Sequence, residues 1–193
     1  MILLTGCGKM KKIMIIGCGG IGSFLIPLLN KVGLYDITVY DPDIVENKNL
    51  LYQNFENSDI NLRKVDVMNK YETVNKIEPY LVLTKSQVQG YDLVICCADN
   101  LAVRKMLYKA NVKWLDLRAQ ARNCALISGD VSPEIMETVL AGPDGSYSCQ
   151  GQGWDGTPEE VNFMQVVAAG LGAQWVQNHF SGKDVDNHKV VYA

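Results

Sequence analysis

The sequence predicts an α/β fold with a doubly wound, mostly parallel sheet, on three observations. Short apolar runs alternate with helically spaced ones through roughly the first 120 residues, the order that a parallel sheet with crossover helices requires. The first strand and helix are joined by Gly17, Gly19 and Gly22 in the spacing G-x-G-x-x-G, as in a Rossmann-like turn. Beyond Arg118 the texture changes to short strand-like runs and a glycine-rich stretch, which reads as a C-terminal antiparallel extension.

In chain order, "KKIMIIG" is a strand ahead of the glycines, and "IGSFLIPLLNKVG" changes to helical spacing and ends at Gly33. "DITVYDPD" is a second strand closing on two acids, and a polar loop from Glu46 to Asn61 follows. "NLRKVDVMNKYETVNKI" predicts an amphipathic helix with Leu62, Val65, Met68, Val74 and Ile77 on its apolar side. "YLVLTKS" and "YDLVICC" predict strands, a helix starts near Asn100, and "VKWLDLR" is a further strand. "NCALISG" and "METVLAG" read as strand-like runs. Pro158 and the acids after it predict the start of a long helix through Phe180, and "HKVVYA" a final strand.

A chain of 193 residues has room for one well-buried core, so residues 1–193 read as a single domain. Residues 1–11 form a flexible arm in this reading, and 142–157 a crossover loop. Charged residues make up 20%, hydrophobic ones 48%, and the net charge is −3, which offers no basic excess for nucleic acid or a membrane surface. Apolar runs are broken by Gly, Ser and Pro well short of a membrane span, and the N-terminus lacks the h-region of a signal peptide. Cys7, Cys18, Cys96, Cys97, Cys124 and Cys149 contain no C-x-x-C, so a zinc site or disulfide scaffold is not expected, and reduced thiols in a cytoplasmic protein are. His179 and His188 are expected at the surface.

The glycine turn carries the first chemistry. Gly17, Gly19, Gly20 and Gly22 let backbone N–H groups and a helix N-terminus approach phosphate. Asp41 ends the second strand about 20 residues further on, where an acid accepts ribose hydroxyls. A nicotinamide-dependent oxidoreductase would share these features, so the residues after Asp41 have to discriminate. In "YDPDIVENKNLLYQNF" a second acid, Asp43, is followed by Asn49 and Gln53 along a polar segment that a plain dinucleotide fold does not need. In "LVICCADNLAVR" Asp99 and Asn100 end a strand and open a helix, where both also suit a cap.

On these segments the chain resembles the ubiquitin-activating-enzyme and ThiF/MoeB/HesA family of adenylyltransferases, as a short divergent member. In that family a strand ending D-x-D, then V-x-x-x-N-L-x-R-Q, surrounds ATP, and a later strand carries C-x-D-N and a following Arg. The resemblance spans roughly Lys12 to Phe180. It implies that Asp41 holds the ribose, that Asp43, Asn49, Gln53 and Asn100 surround the nucleotide, and that Lys64, with Arg63 as a neighbouring substitute, meets the triphosphate. Asp99 is then the Mg2+-associated acid, and Lys64 and Asp99 carry catalysis. Gln174 matches a recurrent family glutamine. The implied reaction is attack by a C-terminal carboxylate, usually the Gly of a small ubiquitin-like protein or a peptide, on the α-phosphorus of ATP. The resemblance also implies a homodimer.

The sequence departs from the family at four places. Tyr52 stands where N-L-x-R-Q has its arginine, only 16 residues precede Gly17 where a helical arm is expected, and "SYSC" with Ser146 and Ser148 replaces a C-x-x-C. No Cys lies between Gln150 and Ala169, where thioester-forming members place one, so the expected reaction stops at the acyl-adenylate. Arg118 and Arg122 are alternatively a replacement for the lost charge or a surface pair flanking a turn. The competing functions are a catalytically impaired nucleotide-binding regulator or scaffold of the same fold and, behind it, the NAD-dependent oxidoreductase, which leaves Asp43, Asn49, Lys64 and Asp99 unexplained.

Overall fold

Ile13 and Ile15 face one hydrophobic cluster and Met14 and Ile16 another, so the first strand, Lys11–Ile16 (β1), is covered on both faces as a central parallel strand must be. The structure is a computed structural model that describes residues 9–71, 74–76, 83–141, 149–151 and 154–193. After β1 come Gly22–Val32 (α1), Tyr35–Tyr40 (β2), Lys64–Met68 (α2), Val74–Lys76 (β3), Leu93–Cys96 (β4) and Leu101–Ala110 (α3). Trp114–Gln120 (β5), Asn123–Ser128 (β6), Pro133–Leu140 (α4), Met164–Phe180 (α5) and His188–Tyr192 (β7) complete them. The sheet order is β3-β2-β1-β4-β5-β6-β7. The first five strands run parallel, while β6 and β7 add antiparallel, as expected from the change of texture after Arg118.

α1 and α5 share the face of Ile13 and Ile15, with Leu25, Leu29, Ala168, Ala169 and Val176 in the same cluster. α3 and α4 cover the other face with Leu107, Met136 and Val139. The small residues of α5 are a packing requirement: a Cβ on Gly172 would lie 2.5 Å from a Leu117 methyl of β5. No described helix is long and apolar enough to cross a membrane.

Several expected elements form differently. The amphipathic helix over 61–77 shrinks to α2, because Asn61 is left-handed (φ 68°) and Arg63 is extended, so the helix opens only at Lys64. Val74, placed on that helix's apolar side, lies in β3 opposite Ile37 of β2, and edge pairing outweighs its helical register. Leu62 is 49% exposed, and Ile77 lies outside the described residues. "METVLAG" is not a strand: its first five residues belong to α4, which Ser132 caps at the Ile135 N–H with Pro133 in the first turn. Of "YLVLTKS", Tyr80 to Val82 lie outside the described residues, and Leu83 to Ser86 are not strand.

The long helix does not start at Pro158, which opens a short 3-10 turn, Pro158–Glu160, and α5 begins at Met164. Gln150 explains the break: its amide donates to the Asn162 carbonyl (3.0 Å) and accepts from the Asn162 N–H (2.7 Å), satisfying that backbone outside a helix. Lys11 already pairs in β1, so the expected arm is shorter than 1–11, and residues 1–8, with Cys7, lie outside the described residues. So do 142–148 and 152–153 of the crossover loop. His188 is exposed as expected, but His179 is half-buried, stacked on Trp175 at 4.8 Å.

Candidate functional site

The C-terminal ends of β1, β2 and β4 converge on the glycine turn. The Gly17 N–H donates to the Tyr40 carbonyl (2.8 Å) and the Cys97 N–H to the Ile16 carbonyl (2.8 Å), tying the turn to both neighbouring strands. Gly17 has φ 97°, and a Cβ there would lie 2.9 Å from the Ala98 nitrogen; a Cβ on Gly22 would lie 1.9 Å from the Gly17 carbonyl oxygen. These two glycines are required by the backbone. Gly19 is different: its Cβ would find open contact distances, 3.7 Å to Gln53 Oε1 and 3.8 Å to Lys64 Nζ. It is the glycine that keeps the surface of the turn clear. At Gly20 a Cβ would lie 2.6 Å from the Cys149 sulfur.

Asp41 is 5% exposed and spans the turn, accepting from the Cys18 N–H at Oδ2 (2.6 Å) and from the Asp43 N–H at Oδ1 (2.9 Å). Burial pushes its carboxyl above the usual range, opposed by the charge of Lys64 and by these two N–H donors. The polar segment after β2 folds back on itself through a bridge between Ile44 and Arg63, with the Lys64 N–H donating to the Asp43 carbonyl (3.0 Å). That closure sets the Lys64 ammonium against Gly19, 3.1 Å from Asp43 Oδ2. The lysine side chain is 7% exposed and that of Asp43 65%. Of the two adjacent cations, Lys64 is therefore the one brought to the turn.

Within the segment, Gln53 is buried and its Oε1 has no hydrogen-bond partner. Asn49 is committed to its own turn, its Oδ1 accepting from the Glu46 N–H (2.9 Å) and its Nδ2 donating to the Tyr52 hydroxyl (3.5 Å). Tyr52 is buried edge-on against Trp154, with ring centroids 5.2 Å apart. Sequence reasoning missed Gln165, which is fully buried on α5 and donates from Nε2 to the Tyr52 carbonyl (3.0 Å). Gln174, the glutamine singled out by resemblance, is exposed and bonds Asn178 on its own helix.

Across the crevice, Asn100 caps α3 by accepting from the Val103 N–H (3.2 Å), as its type and place predict. Asp99 is ion-paired with Arg104 (3.2 Å), with its side chain 41% exposed. Arg104 also reaches the fully buried Asp116, which Arg118 contacts as well, at 2.6 Å. Arg118 thus belongs to a buried ion network, whereas Arg122 is exposed at the β5–β6 turn. Cys149 lies within electrostatic range of both Lys64 and Asp99, and burial pushes its thiol up to about 11.

A model described as the ThiF family matches residues 8–176. The chain is 33% identical over 110 residues to an adenylyltransferase and sulfurtransferase, UBA4, of Yarrowia lipolytica, covering 51% of this chain and 27% of that protein. It is 28% identical over 110 residues to the molybdopterin-synthase adenylyltransferase of Escherichia coli, covering 51% of this chain and 44% of that one. The chain therefore matches less than half the length of these curated relatives. The crystal structure of E. coli MccB with ATP superimposes with a TM-score of 0.67 over 95% of this chain and 60% of that one. The same enzyme with N-formylated MccA gives 0.68 over 95% and 62%. At 18% identity in both cases the likeness is one of fold.

Proposed function

The chain belongs to the ThiF family, and on that premise we propose that it is an ATP-dependent adenylyltransferase acting on the C-terminal carboxylate of a small ubiquitin-like protein or a peptide. The observation that carries this reading is the cradle in which the Lys64 ammonium and the Gln53 carboxamide face the clear surface of Gly19. Relatives named as adenylyltransferases support the same chemistry.

The residues present fit a magnesium-bound triphosphate. α1 starts at the turn with no side-chain cap and no acid in its first turn. Its Ser23, Phe24 and Leu25 N–H groups already donate to the Gly19 and Ile21 carbonyls, so an anion would meet the turn from Gly19 to Gly22 ahead of them. The Gln53 amide borders the volume that a Gly19 side chain would fill, where Nε2 can donate to a phosphate oxygen and the unpartnered Oε1 can accept from a hydroxyl or a metal-bound water. Among the described residues no three His, Cys, Asp or Glu side chains cluster as a metal site. A divalent cation would therefore be held by phosphate oxygens and one carboxylate, the usual state of magnesium on a nucleotide; Asp99 is that carboxylate, and the ion would neutralise phosphate charge there.

Adenylyl transfer forms a bond from the substrate carboxylate oxygen to the α-phosphorus and breaks the bond to the pyrophosphate oxygen. Such a displacement needs alignment and charge stabilisation rather than a covalent nucleophile from the protein. Lys64 and the amides of the turn take up charge on the phosphates, and Gln53 orients them. Asp41 keeps acceptor capacity for ribose hydroxyls beside the two N–H groups that it already holds. Asn49 and Asn100 keep the surrounding turn and helix in shape. A second reading, a nucleotide-binding scaffold that no longer catalyses, is favoured by Tyr52, which is buried against Trp154 and brings no charge to the triphosphate.

Calorimetric titration is expected to give at least tenfold tighter binding of ATP with magnesium than of NAD, and ATP–pyrophosphate exchange is expected with a Gly-terminated partner. NAD binding as tight as ATP would overturn the adenylation reading. ATP binding without exchange for any such partner would put the scaffold in its place.

The acyl group is expected to stop at the adenylate. Burial holds every described thiol above its ordinary value, with Cys96 at about 12, Cys149 at about 11, and Cys18, Cys97 and Cys124 also raised. Thiols so raised present little thiolate at neutral pH. Denaturing gels run with and without reductant after incubation with ATP and partner should show no reductant-sensitive adduct. An adduct that disappears in Cys149→Ser would contradict this and make the 142–157 loop a catalytic element.

A further inference from the structure

Asp116 has no counterpart in the site as drawn from the sequence, yet it is 0% exposed and held by two guanidinium groups. Arg104 Nε lies 3.2 and 3.0 Å from its two oxygens, and Arg118 Nε lies 2.6 Å from Oδ2. The same Arg104 reaches out to Asp99 Oδ1 through NH1 (3.2 Å) and to the Ala98 carbonyl through NH2 (3.4 Å). Arg118 is anchored in turn by the Val139 carbonyl in the last turn of α4 (3.1 Å). Two acids and two arginines thus form one chain of neutral net charge. It runs from the buried interior at Asp116 to Asp99 at the rim, where the carboxylate is 41% exposed.

Arg104 is shared unequally between a buried carboxylate and an exposed one. We propose that Asp116 is a positioning residue that shares the charge of Arg104 and so limits how tightly Arg104 competes for the Asp99 carboxylate with a divalent cation on the bound nucleotide. The inference rests on the adenylation reading, because it takes Asp99 as the carboxylate beside the metal. Without the charge of Asp116, Arg104 would pair more tightly with Asp99, the network would carry an uncompensated positive charge from Arg118, and a cation would be repelled. Without Arg118, Asp116 would draw Arg104 inward and loosen its pair with Asp99. The two losses therefore act in opposite directions, which a merely structural role does not produce.

The test uses the full chain with ATP and Mg2+ as probes, read by calorimetry as the free Mg2+ needed for half-maximal ATP binding, and repeated in EDTA. D116N is expected to raise that Mg2+ concentration roughly 5- to 10-fold, while ATP affinity in EDTA stays unchanged or tightens because the site has become more positive. R118Q, at a side chain that is 31% exposed, is expected to lower the Mg2+ requirement about 2- to 5-fold and to weaken metal-free ATP binding, and R118K should restore both. Should D116N fail to fold, the R118Q and R118K pair decides the matter alone. Shifts in the same direction for D116N and R118Q, or no shift beyond twofold in R118Q, would overturn the positioning role. If the unmutated chain binds no ATP, the adenylation reading fails and this role with it; if it binds ATP with magnesium but the variants do not respond, only the role of Asp116 fails.

Discussion

Gly22→Ala is expected to destabilise the chain severely, whereas Gly19→Ala should fold normally and lose nucleotide binding. The methyl group of an alanine at 22 would lie 1.9 Å from the Gly17 carbonyl oxygen, a backbone atom that cannot rotate away as a side chain can. Gly17 is itself pinned between β2 and the Cys97–Ala98 backbone, so relief would have to propagate into two strands. Overpacking of a core side chain typically costs ~1–3 kcal/mol, and a fixed backbone clash should exceed that range. For a chain of this size the melting temperature is then expected to fall by about 10 °C or more. At Gly19 the added methyl meets only ordinary contacts at 3.7 to 3.8 Å, yet it occupies the surface that Gln53 and Lys64 face. Thermal melts of the two variants, each paired with ATP titration, separate the roles. A Gly22→Ala protein with an unchanged melting point, or a Gly19→Ala protein with unchanged ATP affinity, would contradict this division.

That division also shows what could be read from the sequence. The spacing of the glycines announces a turn between a strand and a helix, because only a few backbone arrangements use it. It does not say which glycine serves the fold and which the ligand, since that depends on Ala98 and Lys64, brought there from far along the chain. Asp41 was legible for the same local reason, as the acid ending the strand next to the turn. The segment from Asn61 to Ile77 misled because its apolar spacing satisfies a helix, while the left-handed Asn61 and the pairing of Val74 with Ile37 are tertiary outcomes. "METVLAG" was ambiguous as a short apolar run, and the Ser132–Pro133 start signal just upstream settles it as helix. Gln165 and Asp116 carried no sequence signal: each is a polar residue in an apolar run, and its significance lies in a partner more than ten residues away.

Lys64→Met is expected to reduce ATP–pyrophosphate exchange by roughly 10²- to 10³-fold, the effect of removing one preorganised charge from a phosphoryl-type transition state. Methionine retains most of the buried apolar stem of Lys64, so the change removes the ammonium and little else. The fold should tolerate the loss, because the partner Asp43 is 65% exposed and water can solvate it once it is alone. Loss of the pair with the exposed Asp43 costs at most ~1 kcal/mol, or about 4 °C in melting temperature, and loss of the Lys64 charge beside the buried Asp41 adds to that. The Ile44–Arg63 backbone bridge sets Lys64 against the turn. On the proposed reading the ammonium meets the triphosphate and not the base or ribose, so the variant should bind adenosine as the wild type does while losing affinity for ATP. A folded Lys64→Met protein with undiminished exchange would show that the triphosphate lies elsewhere. Equal losses of adenosine and ATP binding would point to a collapsed crevice in place of a missing charge.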